Sequence, residues 1–137
     1  MDHREISEEY SQIMKEVLEE NKELEILKHA NLSIIALSST HRKRSHGKKV
    51  FGQCEKVQDK YKWGIPCDFT ITIFEPNCFG FTHDQLKILM FHELLHIGID
   101  DGKPFIKPHD LEDFKLIIDK FGTNWAAVDE ERLMGNE

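Results

Sequence analysis

The stretch ILMFHELLHIGID, residues 88–100, places two histidines and a glutamate inside an almost continuously apolar segment. Burying a polar side chain without a hydrogen-bond partner costs roughly 1 to 3 kcal/mol. A segment that served only to fill a core would carry leucine or isoleucine at these positions. The three polar residues therefore need partners, which either the folded chain or something that it binds must supply.

The residues that lead into this stretch predict a helix buried in a domain core. Thr82 and Gln85 match the T-x-x-Q capping box, which predicts a helix start at Thr82. From Leu86 onward apolar residues occur on nearly all sides, as in a helix surrounded by protein. We therefore expect the whole H-E-x-x-H motif, residues 92–96, to lie on one buried helix.

This motif has the spacing of a metal site. Residues four apart on a helix lie on one face about 5 to 6 Å apart, so His92 and His96 can bind one zinc ion. Glu93 is rotated around the helix, so it can flank the metal and take a proton from water, as the general base of a metallopeptidase does. The alternative is a pair of core histidines with ordinary partners and a surface glutamate.

A catalytic zinc takes three protein ligands and leaves one position for water. The metzincin spacing does not supply the third ligand, because Ile99 and Gly102 stand where its Gly and His should be. His109 is the best candidate, since it stands at the start of a predicted helix that ends at Gly122. The alternatives are Asp110, Glu112 and Asp113 on the same turn, and His83 or a histidine further upstream.

The rest of the chain predicts one α+β domain over residues 1–137. Apolar residues at helical spacing indicate an amphipathic helix over residues 6–27. With 39% hydrophobic content the chain can build one modest core. Three segments indicate a small, mostly antiparallel three-stranded sheet: NLSIIALSST, KKVFGQCEKV and DFTITIF. A C-terminal helix completes the expected zincin-like domain.

Two expectations concern the substrate. If the last of these strands, residues 68–74, lies at a sheet edge beside the motif helix, a peptide could pair with it near Thr70 or Thr72. Tyr10 and Tyr61 are candidates for stabilising an oxyanion, although simple packing explains both. The pattern assigns no other residue to that role.

The charge of the chain is uneven. A net charge of -7 argues against a general nucleic-acid binder, since affinity for phosphates depends on concentrated Lys and Arg. The basic loop HRKRSHGKK, residues 41–49, reverses this locally and could contact nucleic acid or an acidic partner, although a solvated hairpin is the simpler interpretation. Its cations are Arg42, Lys43, Arg44, Lys48 and Lys49.

The sequence MFHELLHIGID, followed by PHDLEDFKLIIDKFG, resembles the putative phage metallopeptidases and, more distantly, the SprT-like zinc metallopeptidases. Residues 32–57 also resemble the strand, basic loop and strand that precede the active helix in that family. The resemblance implies that His92, His96 and His109 are zinc ligands, that Glu93 is the base and that the substrate is a protein or peptide. The chain departs from SprT-like proteins in having no downstream cysteine-rich zinc ribbon.

The sequence thus predicts a zinc-dependent peptidase. The alternatives are a zinc-stabilised binding module without catalysis, and a zinc hydrolase of a non-peptide substrate. Cys54, Cys67 and Cys78 lack the spacing of a disulfide framework or zinc knuckle, so we expect buried thiols. No signal peptide and no run of about 18 apolar residues occurs, which predicts a cytoplasmic protein without membrane segments, in the host cytosol if a phage encodes it.

Overall fold

A four-stranded sheet packed against helices forms the α+β fold of this chain, seen here in a computed structural model. The structure describes residues 3–108, together with residues 117, 120, 121, 125 and 126. The strands of this part are β1 (Arg4–Ile6), β2 (Ile34–Ser39), β3 (Arg44–Ser45), β4 (Lys48–Lys49), β5 (Gly52–Lys56), β6 (Phe69–Phe74), β7 (Ile97–Asp100) and β8 (Lys103–Ile106). The α-helices are α1 (Glu8–Glu20), α2 (Glu25–His29) and α3 (His83–Leu94), and short 3-10 helices cover Lys22–Leu24, Asp59–Tyr61 and Glu75–Cys78.

The strand order of the main sheet is β1-β2-β6-β5. The β2–β6 pair is parallel, and the other two pairs are antiparallel. The sequence predicts three strands in a mostly antiparallel sheet, so the expected sheet was wrong in strand number. The sheet gains a strand because the chain before α1 pairs with β2. Two hairpins, β3–β4 and β7–β8, form separate two-stranded sheets.

Strand β6 was expected at an edge, and this expectation is wrong. It lies between β2 and β5, so its backbone is paired on both sides. A peptide therefore cannot add to it, and the expected docking near Thr70 or Thr72 is excluded. The edge strand beside β6 is β5.

The first helix is shorter than its apolar periodicity predicts. The Ser7 side chain accepts a hydrogen bond of 3.1 Å from the Tyr10 N–H and caps α1, so Ile6 lies in β1 instead of the helix. The helix then stops at Asn21, whose backbone is extended at φ -119 and ψ 112. The later core positions remain buried in the elements that follow, at Leu24 and Leu27.

The core lies between the sheet and helices α1 and α3. Phe69, Ile71 and Ile73 of β6 face it and are at most 1% exposed. The opposite face of β6 is also covered, because Arg4 and Lys43 lie over the ring of Phe74 at 5.7 and 5.6 Å from its centroid. This cover explains why a strand with alternating sequence is buried on both faces.

The C-terminal helix falls only partly within the described residues. Ile117, Lys120 and Phe121 have helical backbone, and the Ile117 side chain is buried in the core. The rest of this predicted helix lies outside the described residues. In the part of the chain that the structure describes, no helix is both long and apolar enough to span a bilayer.

Candidate metal centre

Helix α3 starts and packs as its sequence predicts. The Gln85 N–H donates to Thr82 Oγ1 at 3.1 Å, and the Thr82 N–H donates to Gln85 Oε1 at 2.8 Å, which completes the capping box. Five of its residues are buried: Leu89, Met90, Phe91, Glu93 and Leu94. The motif therefore begins on a helix that is anchored in the core.

The end of α3 differs from the prediction. The helix ends at Leu94, so His96 lies in the following turn and only His92 and Glu93 are helical. The His96 N–H donates to the Glu93 carbonyl at 3.1 Å, which is a bond three residues back and tightens the turn. The chain leaves the helix here because β7 begins at Ile97 and pairs with β8.

The two imidazole rings remain close despite this turn. The ring centroids of His92 and His96 are 5.3 Å apart, with 69° between the ring planes. Zinc–nitrogen bonds of about 2.0 to 2.1 Å at a tetrahedral angle place two ligating rings roughly 5 Å apart between centroids. The spacing of this pair therefore fits a shared zinc ion.

The tautomer of His96 is set by a backbone carbonyl. His96 Nδ1 lies 2.8 Å from the carbonyl oxygen of Lys107. A carbonyl can only accept, so Nδ1 carries the proton and Nε2 carries the lone pair. Metal-binding histidines are commonly oriented by such a bond through their other ring nitrogen. The importance of Lys107 was not predicted, although the Pro that follows it is a sequence signal for a fixed, extended backbone.

Glu93 is buried against the edge strand β5. Its side chain is 3% exposed, whereas both histidines are half-buried. A Cβ atom placed on Gly52 would lie 3.2 Å from Glu93 Oε2, so any larger residue there would require the carboxylate to shift by a few tenths of an ångström. Gly52 was missed from the sequence, but a lone glycine inside a strand pattern signals such a close approach.

Burial keeps the two thiols near Glu93 protonated. All three cysteines are free. Burial, and then the charge of Glu93, raises the pKa of Cys54 well above its ordinary value. Burial raises the pKa of Cys78 to about 12, with Glu75 and Glu93 adding to the effect. Cys54 and Cys78 therefore behave as packing residues.

An aromatic residue lies beside the first histidine. The Trp125 ring is 6.2 Å from the His92 ring between centroids, at a tilt of 39°. Its carbonyl accepts a hydrogen bond of 3.2 Å from Gln85 Nε2, which ties it to the start of α3. Nothing in the sequence pattern distinguishes this tryptophan as a neighbour of the site.

The third ligand falls outside the described residues. His109, Asp110, Glu112 and Asp113 all lie there, so the choice among them stays a prediction. His83 is exposed, and its Nε2 lies 3.0 Å from Glu16 Oε2 on α1, at the opposite end of α3 from His96. Within the described ranges, no group of three or more His, Cys, Asp or Glu side chains could hold a metal ion.

The two tyrosines have structural surroundings. Tyr10 is buried in the core, and its pKa is raised by burial and then by Glu75, to which its hydroxyl donates. Tyr61 is half exposed and lines a groove with Thr70, on the face of β6 that points away from the core. Packing therefore accounts for Tyr10, whereas Tyr61 lies at an exposed groove.

The basic loop forms the hairpin β3–β4, with Arg44 opposite Lys49. Its tip is His46–Gly47, at φ 53 and 77, and its base is held by Asn77, whose Nδ2 donates to the Lys43 and Val50 carbonyls at 2.8 Å each. The Lys43 side chain bonds to Gln53. Within the described part of the chain, no carboxylate pairs with the other four cations: Arg42, Arg44, Lys48 and Lys49.

Comparison with known proteins completes the description of the site. The family described as "Putative phage metallopeptidase" matches residues 2–134, which is nearly the whole chain. Neither the curated proteins nor the solved structures contain a significant match. The resemblance to this family is thereby confirmed, and a peptidase family implies a protein or peptide substrate. Helix α3 carries His92 and Glu93, and His96 lies in the turn after it. The chain that holds this helix therefore belongs to the putative phage metallopeptidase family.

Proposed function

We propose that this protein is a zinc-dependent peptidase, with His92, His96 and His109 as metal ligands and Glu93 as general base. The observation that carries the proposal is the pair of imidazole rings, 5.3 Å apart, beside a carboxylate that is 3% exposed. Neutral imidazole is a ligand that zinc prefers, and the Lys107 carbonyl leaves His96 Nε2 as the ligating nitrogen. The donor set therefore fits zinc.

The choice of His109 as third ligand is supported by chain connectivity. Lys107 is hydrogen-bonded to His96 through both its N–H and its carbonyl group. Two further residues can span at most about 7 Å, so the length of the chain allows His109 to act together with His96. Asp110, Glu112 and Asp113 come later and can reach further away.

The chemistry divides between metal and protein. Zinc, when bound, polarises a carbonyl group and lowers the pKa of water. A carboxylate oxygen of Glu93 takes the proton of the attacking water as oxygen bonds to the carbonyl carbon. When the C–N bond breaks, Glu93 returns that proton to the leaving nitrogen, so the products are a carboxylate and an amine. Burial of Glu93 against Gly52 and β5 limits the positions its carboxylate can take.

A peptide substrate can be held by strand addition along β5. This strand is at the edge of the main sheet, and Gly52 brings its backbone next to Glu93. The Phe51 carbonyl and the Val57 N–H point towards β6, so by alternation the backbone groups of Gly52 and Cys54 point away from β6. A peptide-mimetic inhibitor should then shift the amide NMR signals of Gly52 and Cys54.

The test of this function is metal analysis combined with a cleavage assay. Protein purified without added metal should contain about one zinc per chain and should cleave casein or a peptide library. His92→Ala and His109→Ala should each lose the zinc, because they remove ligands. Zinc that is held tightly without any cleavage would favour the binding-module alternative, and cleavage of a non-peptide substrate alone would favour the other zinc hydrolase.

A further inference from the structure

The hairpin β7–β8 begins at the residue that follows His96. Its register pairs Ile97 with Ile106 and Gly98 with Phe105. The pairing continues one step beyond the strands, because the Lys107 N–H donates to the His96 carbonyl at 2.5 Å. Lys107 thus binds the backbone of His96 with its N–H, and the imidazole of His96 with its own carbonyl at 2.8 Å.

Three local features fix the position of that carbonyl. The turn Asp101–Gly102 has φ values of 51 and 75, as two-residue hairpins of matching twist require. Pro108 restricts Lys107 to extended conformations. Between the turn and Lys107, a Cβ atom on Gly98 would lie 2.5 Å from Cζ and 2.7 Å from Cε1 of the Phe105 ring.

The Gly98–Phe105 contact locks the hairpin at its middle. The ring lies directly on the glycine backbone, so a larger residue at position 98 requires the ring to move from this place. A slip of one residue in register would move Lys107 away from His96 and turn every side chain of the strand to the other face. The contact thus connects Phe105, which is 40% exposed, with the orientation of the half-buried His96 ring.

We propose that Gly98 and Phe105 are positioning residues, which hold the β7–β8 hairpin in the one register that keeps His96 in its Nδ1–H tautomer, with Nε2 presented to the metal. This inference rests on the proposed role of His96 as a ligand. In this proposal both residues act on His96 through the Lys107 carbonyl.

The test uses two variants and two measurements. Gly98→Ala should displace the ring, and Phe105→Ala removes the ring while it keeps the glycine. In the metal-free protein, ¹⁵N chemical shifts of the His96 ring should report the Nδ1–H tautomer in the wild type and a mixture of tautomers in both variants. The zinc dissociation constant, from competition with a chromogenic chelator, should rise about 10- to 100-fold, as for other lost partners of metal ligands.

Matched controls separate this effect from general destabilisation. Gly64→Ala adds a Cβ that meets nothing within 4 Å, and Phe79→Ala removes a ring that is 77% exposed. Both should keep the wild-type tautomer and zinc affinity. If Gly98→Ala does not fold, the measurements on Phe105→Ala alone test the positioning role.

The proposal is overturned if the tautomer and the affinity of the folded variant equal those of the wild type. The tautomer of His96 is measured in metal-free protein. This measurement therefore tests whether the hairpin orients His96 even if the wild type does not bind zinc. The failure of this inference can therefore be told apart from a failure of the proposed function.

Discussion

The two hairpins of this protein have similar turns but are anchored in different ways. In β3–β4, the side chain of Asn77 holds the base through two backbone carbonyls, and the exposed strands carry cations. In β7–β8, the last backbone pair includes His96 itself, and a carbonyl of that pair orients its ring. The first hairpin is thus attached to the fold, whereas the second is part of the candidate site.

This difference predicts separable consequences of mutation. Changes in β7–β8 should alter metal binding, because its backbone contacts His96, a proposed ligand. Changes in β3–β4 should alter stability or surface charge and leave the metal in place. The strand β5, which follows β3–β4, provides an intermediate case, since Gly52 lies against Glu93.

The largest effect on metal binding is expected when His96, the proposed ligand just before β7, is replaced. His96→Ala should weaken zinc binding by more than the roughly 10- to 100-fold seen for lost outer partners, because a direct ligand is lost. The matched change in the other hairpin is His46→Asn, since asparagine tolerates the positive φ of 53 at this tip. Zinc content and thermal midpoint should be unchanged in that control, and a loss of zinc there would break the comparison.

The next largest effect is a loss of stability when Asn77, which holds the base of β3–β4, is replaced. Asn77→Ala removes two hydrogen bonds from a buried amide and should lower the free energy of unfolding by about 2 kcal/mol. Urea unfolding followed by tryptophan fluorescence measures this change. Gln58→Ala is the control, because its side chain makes no capping bond. Zinc affinity should stay at the wild-type value, and a parallel loss of zinc would show that this hairpin also supports the site.

A smaller effect, on the rate of peptide cleavage, is expected from a change in β5. Gly52→Ala places a methyl group 3.2 Å from Glu93 Oε2, so the carboxylate must move by a few tenths of an ångström. Peptide cleavage should fall about tenfold with the zinc retained, since misplacing a catalytic group by about 1 Å can cost 10²-fold. Kinetic assays compare the rate of peptide cleavage by Gly52→Ala with that of the control Gly64→Ala. Equal rates would show that Glu93 tolerates the shift.

The smallest effect on the fold is expected from the charges of β3–β4. Replacing Arg42, Lys43 and Arg44 by Ser should leave zinc content unchanged. If this loop recruits nucleic acid, wild-type protein should bind single- or double-stranded DNA at low salt, with binding that weakens steeply as salt rises, and the triple variant should lose it. No binding at low salt, or binding that survives the substitution, would leave the loop as a solvated hairpin.

Local sequence signals were sufficient to predict those features of the fold that depend on residues close together in the chain. The start of α3 follows from Thr82 and Gln85, and its burial follows from the apolar residues around it. The end of α3 could not be predicted, because it depends on the pairing of His96 with Lys107, eleven residues away. The apolar pattern could not place Ile6 in β1 either, since that strand forms only by pairing with β2 across the fold.

The same limit applies to the candidate site. The H-E-x-x-H spacing brought His92 and His96 together correctly, because residues four apart stay close even when the helix ends between them. The neighbours that complete the site come from distant segments, namely Gly52 and Trp125. No periodicity in a single sequence reports such contacts.

The most direct test of the account compares Glu93→Gln with His92→Ala. Glutamine keeps the shape and polarity of the side chain but cannot take a proton. Glu93→Gln should therefore keep its zinc and its thermal midpoint while peptide cleavage falls about 10²- to 10⁴-fold, whereas His92→Ala should lose both zinc and cleavage. Zinc content and cleavage rate, measured on the same preparations, give the answer. If Glu93→Gln loses zinc as readily as His92→Ala, Glu93 is a structural element and its role as general base is contradicted.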